Sequence, residues 1–142
     1  MSPQQLFSIC NFAALAGWLI LVVAGRRRWA AQAVSGMILP ALLGIVYIGL
    51  IAAHWSEPKG GGFGSLPAVS LLFSNPWLLL AGWVHYLAFD LFIGSWETRD
   101  AQQHGLPHLA VIPSLVLTFL FGPAGLILYF LTRAGKVRRL SV

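Results

Sequence analysis

The residues of this 142-residue chain whose types and spacing could do chemistry are gathered in one apolar stretch, Asn75 to Glu97. It holds His85, Tyr86 and Asp90, and closes on Glu97. An ionisable group in an apolar run of membrane-spanning length is costly, and by default it marks a functional site. On a helix, Tyr86 and Asp90 lie about 40° apart, with Glu97 projecting between them. Asn75, Gly82 and Trp83 fall within about 60° of Tyr86 by the same geometry. One face therefore carries Asn75, Gly82, Trp83, Tyr86, Asp90 and Glu97, and it is expected to point into a bundle rather than at lipid. His85 flanks this stripe, about 100° from Tyr86. No Lys or Arg lies within any span of the chain, so the Asp90 carboxyl is expected to rest protonated, hydrogen-bonded, and able to deliver a proton. A plainer reading stays open beside this one. Asp90 could lock the bundle by accepting hydrogen bonds, Glu97 could be an interfacial carboxylate, and His85 a satisfied bundle histidine.

The histidines invite a haem or metal, but their depths disagree. His85 lies about 18 Å below the level of Glu97. His108 sits at that level, and His54 on the opposite side. Glu97, Asp100, His104 and His108 could approach a metal in their turn, yet Gly105 and Pro107 interrupt the His104–His108 spacing. No metal and no cofactor are expected. There is no nucleotide loop, Ser-His-Asp set or CxxC, and a single cysteine, Cys10, excludes an internal disulfide.

These residues must be positioned by a membrane protein. The chain is 58% hydrophobic and 9% charged, with a mean hydropathy of +0.78. Soluble domains carry about 25% charged residues, so a soluble globular domain is excluded, as are disorder and collagen-like repeats. The net charge of +5 comes from clusters beside apolar runs: Arg26, Arg27 and Arg28, then Arg133, Lys136, Arg138 and Arg139. Such clusters meet lipid headgroups. Nucleic acid is not an expected partner, because no aromatic residues interleave with the basic ones.

The expected architecture is all-α: one polytopic membrane bundle over residues 1–142. Four transmembrane helices are expected at about 5–24, 31–53, 76–96 and 107–132. The loop from His54 to Ser65 holds four glycines and a proline. Leu66 to Phe73 is apolar but too short to span, and reads as an interfacial or re-entrant segment. Asn75 and Pro76 suit a helix start. Residues 97–105 read as a polar turn. Pro113 and the Gly122-Pro123 pair predict a bend in the fourth helix. Four spans would divide the Lys and Arg residues four to five across the membrane, which leaves the orientation undetermined.

Two runs carry a family resemblance. Gly82 to Ala101 contains H-Y-L-A-F-D-L-F followed by W-E-T-R-D, and Leu117 to Leu126 reads L-T-F-L-F-G-P-A-G-L. Together they resemble the ABA4-like (abscisic-acid-deficient-4-like) membrane family. The likeness is strong in the second half of the chain. In the first half it rests on the span pattern and Asn75-Pro76. Plant members of that family are linked to forming neoxanthin from violaxanthin in plastid membranes. The resemblance therefore implies isomerisation of a carotenoid 5,6-epoxide, or of a related isoprenoid, to an allenic alcohol. That reaction needs a proton donor at the epoxide oxygen and a base for a neighbouring C–H. Asp90 is the candidate catalytic residue, with Tyr86 or His85 as its partner. Asn75, Trp83, Glu97 and Phe119 are the candidate substrate contacts. Trp77, Phe89, Phe92, Trp96 and Phe121 would join Trp83 and Phe119 in lining a polyene groove, or would simply face lipid. The span that opens the chain, with no transit-like segment before it, points to a bacterial inner membrane. Two other classes stay open: a non-catalytic carotenoid- or lipid-binding protein, and an accessory subunit of a membrane complex or homo-oligomer.

Overall fold

The computed structural model describes residues 1–27 and 29–140, with side chains through Lys136. Arg28 and the side chains of Arg138 and Arg139, all members of the basic clusters, lie outside the described set. The described chain is helical throughout, joined by turns and one glycine-rich loop.

Helix α1 (Pro3–Ala24) starts in a reciprocal cap. The Gln5 amide N–H donates to Ser2 Oγ at 3.2 Å, and the Ser2 N–H donates to Gln5 Oε1 at 2.9 Å. The second span is one continuous helix of two kinds. Ala30–Ile38 is π-helical, and Leu39–His54, here α2, is α-helical. Pro40 explains the change. A proline has no N–H for the preceding turn and crowds its carbonyls, and a wider turn relieves both. The Leu39 N–H accordingly reaches back five residues to the Val34 carbonyl. The π-helical stretch packs against both neighbours through small polar groups. Ser35 Oγ donates to the Gly17 carbonyl at 3.0 Å, and Ser95 Oγ donates to that of Ala31.

Helix α3 (Leu66–Ser74) is the short apolar segment, capped by Ser65 and nine residues long. At about 13 Å it cannot cross a bilayer. Helix α4 (Pro76–Gln103) is the central element, and its 28 residues extend past the expected end at 96. The stretch from Glu97 to Gln103, read from sequence as a turn, is helical because no breaker precedes Gly105, which has φ 62°. Its polar side chains find partners inside the bundle. Gln102 Nε2, for example, donates to the Gly25 carbonyl at the end of α1.

The largest departure from expectation concerns the fourth span. No single helix covers 107–132. Helix α5 (His108–Phe121) ends at Gly122, whose φ of 49° and ψ of −100° turn the chain back, and α6 (Pro123–Leu140) follows. The reversal can be traced along α4. The Gly122 backbone lies against the Asp90 carboxyl. Tyr129 then packs on Trp96 with ring centroids 5.5 Å apart. Arg133 reaches Asp100 and His104, and Lys136 comes beside Gly105. So α6 retraces the length that α5 descended, and Gly125 packs directly on Thr118. The expected bend at Gly122-Pro123 is a hairpin. Fourteen residues give α5 a length of about 21 Å, short of a crossing of about 30 Å.

Among the described residues, three helices are therefore long and apolar enough to cross a membrane: Pro3–Ala24, Ala30–His54 and Pro76–Gln103. One face of the bundle holds the start of α1, the end of α2, α3 and the start of α4. The opposite face holds the end of α1, the end of α4 and the open end of the α5–α6 hairpin. Two cores result. Cys10, Ala14, Leu43, Ala81 and Val84 fill the first half. Leu21, Leu91, Val111, Leu115 and Tyr129 fill the second.

Candidate functional site

The hairpin covers one stripe of α4, and that stripe holds three of the chain's four acidic residues. Asp90 meets the tip. An added Cβ on Gly122 would stand 3.1 Å from Asp90 Oδ1, so the carboxyl rests against bare backbone. Asp90 as a residue is half-buried, while its Oδ2 is buried with no hydrogen-bond partner among the described residues. Two turns further along α4, Glu97 is fully buried. Its Oε1 accepts the Thr118 hydroxyl at 2.9 Å, and its Oε2 is likewise unpartnered among the described residues. Ser114, one turn before Thr118 on α5, is fully buried beside this pair of helices. At the open end, Asp100 Oδ2 accepts the Tyr129 hydroxyl at 2.5 Å and lies 3.2 Å from Arg133. Arg133 also bonds His104 Nε2 at 2.9 Å. Trp18 closes the seam from α1, with its ring on Gly94 and edge-on to Phe119.

A carboxyl with an unpartnered oxygen in a low-dielectric seam can hold or release a proton where water cannot compete. Asp90 and Glu97 are both of this kind. Asp100 is not, because a cation and a phenol already satisfy it. Among the described residues no three His, Cys, Asp or Glu side chains converge as metal ligands. The turn residues have other work: His108 Nε2 lies 2.9 Å from the Val22 carbonyl and His104 Nδ1 2.8 Å from that of Asp100.

Comparison with known proteins bears on this seam. The profile of the family described as ABA DEFICIENT 4-like matches residues 5–129. The chain belongs to the ABA4-like family. It is 26% identical over 139 residues to the chloroplastic protein ABA DEFICIENT 4 of Arabidopsis thaliana, an alignment covering 92% of this chain. The chain spans 61% of that relative's length. No solved structure matches. The relative is chloroplastic by name, which lends no support to a bacterial inner membrane in particular. The membrane assignment rests on the three long apolar helices. The two runs that carry the ABA4-like resemblance are the two that meet in the seam: Asp90 and Glu97 come from the first, Thr118 and Gly122 from the second.

The ABA4-like chain does not bring all the candidate residues together. Tyr86 stays with Asp90, and its hydroxyl donates to the Phe119 carbonyl at 3.2 Å, which ties α4 to the hairpin. Phe119 is thus at the seam by backbone and ring. His85 is not. It points to the other side of α4, stacked on Phe89 at 4.6 Å and tilted against Tyr47 at 5.4 Å. Trp83 is on the α1 side, its indole N–H donating to Asn11 Oδ1 at 3.2 Å. Asn75 lies about 22 Å from Asp90 along the helix. There it caps α4 by accepting the Trp77 N–H at 2.8 Å, and donates to Glu57. His54 also binds Glu57 at 2.6 Å. These two bonds, His54's first, hold the Glu57 carboxyl below its ordinary value.

The expected polyene-lining aromatics are likewise dispersed. Trp77 stacks on His54, Trp96 packs on Tyr129, and Phe92 lies under Arg99. A different aromatic groove, of about 250 Å³, opens between α2, α3 and α4, with Tyr47, Trp55, Phe63, Phe73 and His85 in its walls. Sequence reasoning missed Thr118, Tyr129 and Arg133 as partners of the α4 acids. Thr118 and Gly122 stand in the second resemblance run, so that run was the available signal. Nothing local marks Tyr129 or Arg133, because their partners are about 30 residues away in the chain.

Proposed function

We propose that this ABA4-like protein is a cofactor-free membrane isomerase of a carotenoid epoxide or a related isoprenoid, with Asp90 as its acid. The observation that supports it is the Asp90 carboxyl: half-buried at the hairpin tip, with one oxygen unpartnered among the described residues and glycine backbone in front of it. A lipid-soluble substrate reaches the tip from the bilayer, past the exposed ring of Phe121. Asp90 donates its proton to the epoxide oxygen as the ring C–O bond opens. A proton then leaves the adjacent C–H, its electron pair forms the new carbon–carbon double bond, and the Asp90 carboxylate takes that proton back. Nothing is gained or lost overall, as an isomerisation requires. Tyr86 positions the acid by fixing the hairpin through Phe119.

Asp90→Asn tests this. It keeps the shape and supplies a hydrogen-bond donor without a transferable proton. The variant is expected to fold, with wild-type elution and helix content, and to lose conversion of a 5,6-epoxy carotenoid by at least about 100-fold, the scale of general acid catalysis. A folded Asn variant with wild-type conversion removes the proposal.

A second reading has its own observation. The aromatic groove beside His85 is apolar, preformed and away from the acids, which suits non-catalytic binding of a polyene or lipid. Pigment that co-purifies unchanged, and is lost on His85→Ala but kept on Asp90→Asn, would favour it.

A further inference from the structure

The hairpin alters which charges share a side of the membrane. Had the chain crossed a fourth time, Arg133 and Lys136 would lie on the side of Lys59. Because α6 returns, they join Arg26 and Arg27 beyond α1 and Arg99 near the end of α4. Among the described residues, five basic side chains gather at this face and Lys59 alone serves the other. The α6 backbone continues past Lys136 through Leu140 at the same end. A cavity of about 460 Å³ opens at this face between α1, α4 and α5, and Arg26, Gln102 and His108 line it.

Lys and Arg beside span ends resist translocation, and they are drawn to anionic headgroups on the side where the chain is made. We propose that this basic face lies on the non-translocated side, against anionic lipid headgroups, and that the α5–α6 hairpin is re-entrant from that side. The Glu57 loop and α3 then lie on the translocated side. The proposal is independent of the reaction, since it concerns only which way the bundle stands.

The test is single-cysteine labelling in a Cys10→Ala background. An added Cβ meets nothing within 4 Å at Gly62, in the loop, or at Gly135, in α6. Both Gly62→Cys and Gly135→Cys are therefore tolerated by packing. A membrane-impermeant maleimide applied from the translocated side should label Gly62→Cys at once, and Gly135→Cys only after permeabilisation. Labelling of both from one side would mean that the α5–α6 unit crosses, and would overturn the hairpin's re-entrant placement. Opposite sides in the reverse sense would overturn the orientation. Peptide epitopes inserted at the same two positions read the same question if a cysteine variant fails to accumulate. The headgroup contact has its own readout. Protein in phosphatidylcholine nanodiscs should melt several degrees higher when part of the lipid is phosphatidylglycerol, and Arg26→Gln with Arg27→Gln should reduce that gain. No gain from the anionic lipid would remove the contact.

Discussion

The two halves of α4 solve different problems. In its first half, Leu80, Ala81, Val84 and Leu87 pack against Cys10, Ala14 and Leu43 in an apolar core. In its second half, Asp90, Glu97 and Asp100 face a hairpin that brings Thr118, Tyr129, Arg133 and the bare backbone of Gly122. A crossing helix satisfies its own backbone and offers little to a neighbour's carboxyl. A chain that stops and turns inside the apolar layer exposes backbone and brings two helix faces to one stripe. The three acids occur where that second supply of polar groups exists, whereas the first half, packed on α1, α2 and the short α3, meets mainly apolar side chains.

The contrast can be tested at its strongest point. Gly122→Val places a β-branched residue at φ 49° and drives its Cβ towards Asp90. The strain and crowding should destabilise the hairpin by about 2–3 kcal/mol, and any Asp90-dependent activity should fall with it. Thermal unfolding in detergent or nanodiscs checks the first, and turnover the second. An unchanged melting temperature would mean that the tip is loose and the comparison false.

Val84→Ala probes the other half. Within a membrane the apolar alternative for a side chain is lipid, so truncation loses packing and little transfer energy. About 1 kcal/mol is expected, with activity unchanged. A loss of activity as large as that of the seam variants would show that the two halves act as one.

The smallest effect concerns the polar clasp that closes the apolar half. Glu57 is held below its ordinary carboxyl range, near 4.5, by His54 and Asn75. A depressed acid contributes stability above its unfolded value, and that contribution disappears as pH falls through the folded one. Acidification below about 4.5 should therefore loosen the loop, and Glu57→Gln should abolish this dependence. Tryptophan emission reports it, because Trp77 stacks on His54 at 5.0 Å.

Much of this architecture was legible in the sequence. The first two spans and the start of α4 came from apolar length, the Arg cluster and the Asn75-Pro76 start. Of the face that helical periodicity marks, Tyr86, Asp90 and Glu97 do meet the hairpin, whereas Gly82 lies against Phe73 of α3, Trp83 is on the α1 side and Asn75 caps the helix. The hairpin was legible only as a break. An apolar run reads alike whether it continues or turns back, and the deciding pairs, Asp100 with Tyr129 and Arg133, are distant in sequence. His85 was grouped with Asp90 through closeness along the chain. A helix separates such neighbours by the 100° between successive residues, and here that angle is the difference between the hairpin and the α2–α3 groove.

The π-helical stretch before Pro40 has a consequence of another kind. A five-residue ladder takes one more residue for each closed ring than a four-residue one. Ala30–Ile38 is thus spare length, the form an insertion takes when a helix absorbs it without rotating its later turns. Deleting exposed Gln32 would let the segment rewind as an α-helix and leave Leu43 and Leu50 facing the core. The same deletion after Pro40 would swing every later contact of α2 by about 100°. The second span therefore has a place where its length can evolve, set apart from the part whose register the fold depends on.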